Sequence, residues 1–171
     1  MAKGRIDASE YAISVARRDE IPELLALQQD NLAINGGALS VAFPASWFEQ
    51  SIQEMPVLVA RRDGRLVGYL ASSLRARTRH LALSEAKYSA YSAAPDAYNS
   101  GPLCIAGSER GRGLAGLLLG ALIARLPGRE AAAFIRCDNP ASRAVHRKAG
   151  FREVAMFSHA GVKYVVAVHS V

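Results

Sequence analysis

The spacing of apolar residues changes several times along this chain, and each change marks an element. Ala12-Ile13-Ser14-Val15-Ala16 is a short apolar run that reads as a first strand. Ile21, Leu24, Leu25 and Leu27 then share one face of a helix that Asp19 can cap and that runs to Asp30 before Asn35-Gly36-Gly37 breaks the chain. Ser46-x-x-Glu49 has the spacing of a capping box, which predicts a second short helix from Trp47 to Glu54, stopped by Pro56. Trp47 and Phe48 are expected in the core. Val57-Leu58-Val59-Ala60-Arg61 and Arg65-Leu66-Val67-Gly68-Tyr69-Leu70-Ala71 are strands joined through the hairpin pair Asp63-Gly64. The pattern is weakest from Leu74 to Gly101, where His80 to Tyr91 is compatible with a helix and Ser92-Ala93-Ala94-Pro95 reads as loop.

The chain is organised around residues 102–126. Pro102-Leu103-Cys104-Ile105-Ala106 is too short for a helix and reads as a buried strand. Beyond the loop Ser108-Glu109-Arg110-Gly111-Arg112-Gly113, Leu114, Leu117, Leu118, Ala121 and Leu122 recur at helical spacing. The first four N–H groups of a helix have no intrahelical partner, and the aligned peptide dipoles leave positive charge there. Gly111 and Gly113 leave those donors uncovered and Arg110 and Arg112 add charge, so the loop suits phosphate, although a lone Gly-x-Gly also serves in plain turns. A Walker loop is excluded, because no Lys-Ser or Lys-Thr pair follows the glycines. Gly111-x-Gly113-x-x-Gly116 keeps a dinucleotide-binding oxidoreductase as the second reading, with Glu130 and Asp138 poorly spaced for the ribose carboxylate.

Downstream, Ala131-Ala132-Ala133-Phe134-Ile135-Arg136-Cys137 reads as a further buried strand. Asn139 then caps a helix with Pro140 at its first position, Gly150 closes it, and Glu153 to Ser158 and Lys163 to Val168 form a terminal hairpin around Ala160-Gly161. Arg110-x-x-Gly113-x-Ala115 resembles the acyl-CoA signature of the GNAT (Gcn5-related) N-acetyltransferases. Asn139 to Gly150-Phe151 is similar to that family's asparagine, short helix and Gly-Phe ending. The resemblance spans nearly the whole chain. It implies an α/β fold with a mixed central β-sheet flanked by helices, in the order β-α-α-β-β-β-α-β-α-β-β, as one GNAT acetyltransferase domain over residues 1–171.

The resemblance also assigns roles. Acetyl-CoA is the implied co-substrate, held in a splay between the fourth and fifth strands, and a free backbone N–H near Cys104, Ile105 and Ala106 would face the thioester carbonyl. Its pyrophosphate would lie on Arg110, Gly111, Arg112, Gly113, Leu114 and Ala115. Asn139, Ser142 and His146 share one flank of their helix, and Arg143, Arg147 and Lys148 are candidate phosphate contacts. His146 stands where the family most often has a tyrosine proposed to protonate the CoA thiolate. It is the expected acid, with a plain hydrogen-bonding role as the alternative. No general base stands out; Glu85, Asp96, His80 and Tyr98 precede the fourth strand, and Tyr88, Tyr91, Asp96 and Tyr98 are candidates for an acceptor pocket or for subunit contacts in a homodimer. A small-molecule primary amine is the expected acceptor. A non-catalytic CoA-binding module is the alternative from another class.

Composition narrows this picture only a little. The 171 residues are 50% hydrophobic and 21% charged, as in an ordinary globule. The net charge of +6 is scattered, and its densest stretch, Arg75-Ala76-Arg77-Thr78-Arg79-His80, has no interleaved aromatics to stack bases, so a nucleic-acid partner is not expected. Cys104 and Cys137 fall in apolar runs as buried small hydrophobes, and no metal site is expected. Met1 to Asp7 lacks an apolar signal core and no run reaches membrane-spanning length, so a cytoplasmic location without membrane contact is expected.

Overall fold

Continuously apolar central strands must bury both faces, which produces a sheet sandwiched between helices. A computed structural model describes residues 7–170. Its strands are β1 (Ala12–Val15), β2 (Val57–Arg62), β3 (Arg65–Leu74), β4 (Tyr98–Ile105), β5 (Ala131–Arg136), β6 (Arg152–His159) and β7 (Val162–His169). They form one sheet in the order β1-β2-β3-β4-β5-β7-β6. The helices are α1 (Ile21–Asn31), α2 (Ala45–Glu54), α3 (Ala82–Ala90), α4 (Leu114–Arg125) and α5 (Pro140–Lys148). The helix α3 between the third and fourth strands is absent from the expected element order. Met1 to Ile6, most of the stretch read for a signal core, lies outside the described residues.

Five of the six strand pairings are antiparallel, and β4 with β5 is parallel, joined by α4. That sheet rules against a dinucleotide-binding fold, whose strands run mostly parallel. Glu130 is occupied with the Tyr91 hydroxyl and the Ala94 N–H, and Asp138 with Arg136. The β4–β5 pair is short. Only Tyr98 with Ala131 and Asn99 with Ala132 are in register, although the strands continue to Ile105 and Arg136. Beyond Asn99 they splay.

The two faces carry different helices. Leu114, Leu118, Leu119 and Leu122 of α4 are almost wholly buried against Leu58, Leu70 and Ile135, with Val145 and Ala149 of α5 packed beside them. On the other face α1 and α2 bury Leu24, Trp47 and Phe48 against Val59, Tyr69 and Cys104. Next to them α3 places Tyr88 on Ala132, Val166 and Val168.

Two local expectations change. Glu20, rather than Asp19, accepts the Arg17 N–H at 2.7 Å ahead of α1, and Asp19 turns to the Arg17 guanidinium. The Ser46 capping box does not form: α2 begins two residues earlier, at Ala45 behind Pro44, and Glu49 reaches Arg18 at 3.2 Å. The hairpin turns follow the sequence, with Asp63 and Gly64 both at positive φ.

Candidate active site

The splay opens into a cavity of about 1000 Å³ that runs between the two faces of the sheet. Its wall includes Leu103 and Ile105 of β4, the loop before α4, one flank of α5, and on the other face parts of α3, Phe134, Tyr164 and the segment 36–43. In an antiparallel ladder successive N–H groups point to opposite sides. Ala106 donates its N–H to the Val67 carbonyl at 2.8 Å, and with Cys104 opposite Tyr69 the Cys104 N–H also faces β3. Leu103 and Ile105 therefore turn their N–H groups toward β5, where pairing has ended. This corrects the expected donor set. Ile105 stays, Cys104 and Ala106 leave, and Leu103 enters. The Cys104 side chain lies on the opposite side against Tyr69, and burial pushes its thiol up to about 11.

The loop meets the cavity as anticipated in position but only partly in charge. Gly111 (φ 73°) and Gly113 (φ 83°) are both left-handed, and Gly113 is the cap of α4. The first bond of that helix runs from Leu117 N–H to the Gly113 carbonyl at 3.2 Å, so the N–H groups of Leu114, Ala115 and Gly116 precede it. Residues Arg110 to Ala115 all line the cavity. The arginines differ, however: Arg112 is ion-paired, whereas Arg110 meets only neutral oxygens. Arg110 donates to Asn31 Oδ1 at 3.0 Å, and Arg112 pairs with Glu10 at 3.1 Å and Glu109 at 3.7 Å. Glu109 is buried and also accepts the Tyr11 hydroxyl at 2.6 Å and Arg62 at 3.2 Å, which holds its carboxyl below the usual carboxylate range. The loop thus presents backbone donors to the cavity together with the charge of Arg110. The arginines brace the loop against α1 and the first turn of the chain.

On α5, Asn139 Oδ1 accepts the Ser142 N–H at 3.1 Å and caps the helix while lining the cavity with Ser142 and His146. Arg143 does not reach it; its guanidinium is bidentate on Glu153 at 2.8 and 2.9 Å, facing β6. Arg147 is exposed near the same glutamate, and Lys148 lines the cavity. His146 is buried, and its Nδ1 lies 2.8 Å from the Ser142 carbonyl. A carbonyl only accepts, so the proton sits on Nδ1 and Nε2 carries a lone pair. Burial also depresses the pKa of this imidazole, with the Ser142 bond opposing. An acid that must hand over an Nε2 proton is disfavoured by both facts. We accordingly expect His146→Phe to keep turnover at pH 8 within about fivefold, since general acid catalysis is otherwise worth roughly 10²-fold or more. Steady-state kinetics that showed a hundredfold loss would restore the acid.

None of the residues expected to face an acceptor does so. Tyr88 and Tyr98 are in the core, Tyr91 is bound to Glu130, and Asp96 gives its carbonyl to Arg129. Glu85 and His80 also lie outside the cavity wall. The cavity wall on that face of the sheet is built instead from Ser84 and Lys87 of α3, Asn99, Phe134, Tyr164 and the segment 36–43, with Ser40 bonded to the Tyr164 hydroxyl at 3.2 Å. The helical spacing of Ser84 and Lys87, three apart, is the one signal the sequence carried for this wall.

Among the described residues no cluster of three or more His, Cys, Asp or Glu side chains is placed to hold a metal ion, and no helix is long and apolar enough to cross a membrane. Residues 21–151 match the model of the acetyltransferase (GNAT) family. Solved structures share the architecture. A ribosomal-protein-alanine N-acetyltransferase from Brucella melitensis superposes with a TM-score of 0.72 at 24% identity, covering 94% of this chain and 99% of that one. The putative acetyltransferase yncA from Salmonella typhimurium, solved with acetyl-CoA, gives 0.71 at 19% identity over 94% and 93%. The Escherichia coli ribosomal-protein-S18-alanine N-acetyltransferase gives 0.68 at 14% over 94% and 93%. At such identities the likeness is one of fold. No curated protein sequence matches significantly.

Proposed function

Because this chain belongs to the GNAT acetyltransferase family, we propose that it moves the acetyl group of acetyl-CoA directly to a primary amine inside the through-sheet cavity. The observation that carries the proposal is the coincidence, in one cavity, of unpaired β4 N–H groups and the open N-terminus of α4. When bound, acetyl-CoA supplies an acyl group activated as a thioester.

The residues of this chain would contribute three things. Leu114, Ala115 and Gly116 would give backbone donors to the pyrophosphate, each good bond to a charged oxygen adding about 1.5–3 kcal/mol. Leu103 and Ile105 would offer the N–H that stabilises the oxyanion formed as the amine nitrogen adds to the carbonyl, an effect of about 3 kcal/mol in comparable sites. Asn139 and Ser142 would flank the cofactor arm along α5. Collapse of the adduct breaks the carbon–sulfur bond and leaves the amide and a thiolate. The proton lost by the nitrogen can meet that thiolate through water, so no enzymic acid is required.

A small-molecule acceptor is the reading we keep, supported by the wall that the segment 36–43 and the Ser40–Tyr164 bond build beside the splay. An N-terminal peptide is the second reading, favoured by the like-folded proteins described as ribosomal-protein-alanine N-acetyltransferases. Calorimetric titration with acetyl-CoA, with NAD and NADP as controls, followed by thiol release over small amines and Ala-started peptides, tests both. Binding with amine-dependent release is expected. Binding with no release would leave a non-catalytic CoA-binding module, and absence of binding would remove the proposal.

A further inference from the structure

Lys87 is a buried group of the cavity wall that acetyl transfer leaves unused. It is 2% exposed, sits in the wall on the α3 side, and donates from Nζ to Asn99 Oδ1 at 2.8 Å and to the Ala132 carbonyl at 3.2 Å. A neutral amine has two N–H bonds and one lone pair, so these two acceptors satisfy it. An ammonium has a third N–H, and among the described residues no carboxylate lies within ion-pairing distance to take it. Burial, with Arg75 nearby, accordingly lowers the Lys87 pKa to about 7.

The surroundings favour an anion. Nζ lies 4.3 Å from the Tyr88 ring centre and 5.9 Å from that of Phe134, faces that stabilise the charged form once a counterion arrives. The carboxylates in the cavity wall, Asp7, Glu10 and Glu109, belong to the amino-terminal segment and the loop, and the last two are taken by arginines. The α3 side of the wall has none with which to bind a cationic tail. Ser100, at the start of the splay, lines the same cavity with a buried hydroxyl that has no partner in the structure.

We infer that Lys87 is the specificity residue of the acceptor half of the cavity, and that the amine it selects carries a carboxylate. The inference rests on the acetyl-transfer reading and narrows its substrate to amino-acid-like acceptors. The incoming carboxylate accepts the third N–H of Lys87, which takes a proton from solvent as the pair forms.

The test compares amino acids, α and ω, with their carboxamides in the thiol-release assay, using wild type, Lys87→Met and Lys87→Gln. Wild type should prefer each acid over its amide by at least about tenfold in kcat/KM, the value of one charge-assisted hydrogen bond. Both variants should lose that ratio, mainly through KM, while acetyl-CoA affinity by calorimetry stays within about twofold of wild type. A uniform fall in kcat for acids and amides alike would make Lys87 a base and overturn the inference, as would an unchanged ratio. A second readout separates failure here from failure of the transferase reading. Thermal melting with free CoA and an N-acetyl amino acid, or its amide, reports binding without turnover. Acid-selective stabilisation lost in both variants supports the carboxylate site even if no thiol is released, and its absence in wild type counts against it.

Discussion

Gly113→Val should abolish acetyl-CoA binding while leaving a folded protein, with an affinity loss beyond about 100-fold by calorimetry. Gly113 holds φ at 83° as the cap of α4, and its carbonyl accepts the first helical bond, from Leu117. A β-branched residue there must either endure the left-handed region, at roughly 1–2 kcal/mol, or relax toward ordinary backbone. Relaxation rotates the peptide planes of residues 112–115 and takes their N–H groups off a common target. Losing two such bonds to a charged oxygen, at about 1.5–3 kcal/mol each, accounts for the expected loss. The strain itself is small beside a typical domain stability of about 5–15 kcal/mol, so circular dichroism should report native secondary structure and a melting point only a few degrees lower. Retained affinity would take the loop out of the phosphate site.

Glu109→Leu should be the most destabilising single change near the site, at on the order of 3 kcal/mol. The carboxylate is buried and gathers the Tyr11 hydroxyl, Arg62 and Arg112 at one point; Glu10, bound to both arginines, completes the knot. Leucine would leave the phenol and part of two guanidinium groups without their acceptor. For a chain of this length that corresponds to a melting point roughly 6–12 °C lower. The pH dependence has a definite sign. Because the folded carboxyl titrates below its unfolded range, chiefly through the Tyr11 bond, its contribution is complete above the unfolded pKa and is lost as pH falls through the folded one. The gap between wild type and variant should therefore narrow on acidification below about pH 4. A constant gap from pH 7 to 3 would mean that packing, not charge, sets the cost.

Elements with a strong period were legible in the sequence. The β2–β3 and β6–β7 hairpins, α4 with its leucine stripe and α5 between Asn139 and Gly150 all follow from spacing and cap chemistry. So does the place of the glycine loop between an apolar strand and an apolar helix, where residues 110–115 line the cavity. What escaped depends on pairing at long range. The Tyr11–Glu109 bond joins residues 98 apart, and no local pattern marks either as a partner. Which β4 N–H groups are free is a matter of ladder register against β3, invisible until Ala106 is seen bonded to Val67. Lys87 gave no local signal of its burial, and Arg143 misled. A lysine on a helix reads as solvated yet is buried, and an arginine near a phosphate site reads as a ligand yet is bound to Glu153. Local capping was also ambiguous where two acidic residues adjoin, as at Asp19 and Glu20.

The two-pair junction between β4 and β5 has a mechanical meaning. The neighbouring ladders β3–β4 and β5–β7 each hold six residue pairs in register, against two here. Each side is also continuous in the chain, β1 to β4 on one and β5 to β7 on the other, so the sheet is two stiff plates with a narrow joint at Tyr98 and Asn99. Fewest ladder pairs therefore lie along the line of the splay. A small change in the angle between the plates alters the width of the cleft without breaking any other ladder. A joint whose width can change between two intact plates is built into the connectivity of the sheet itself.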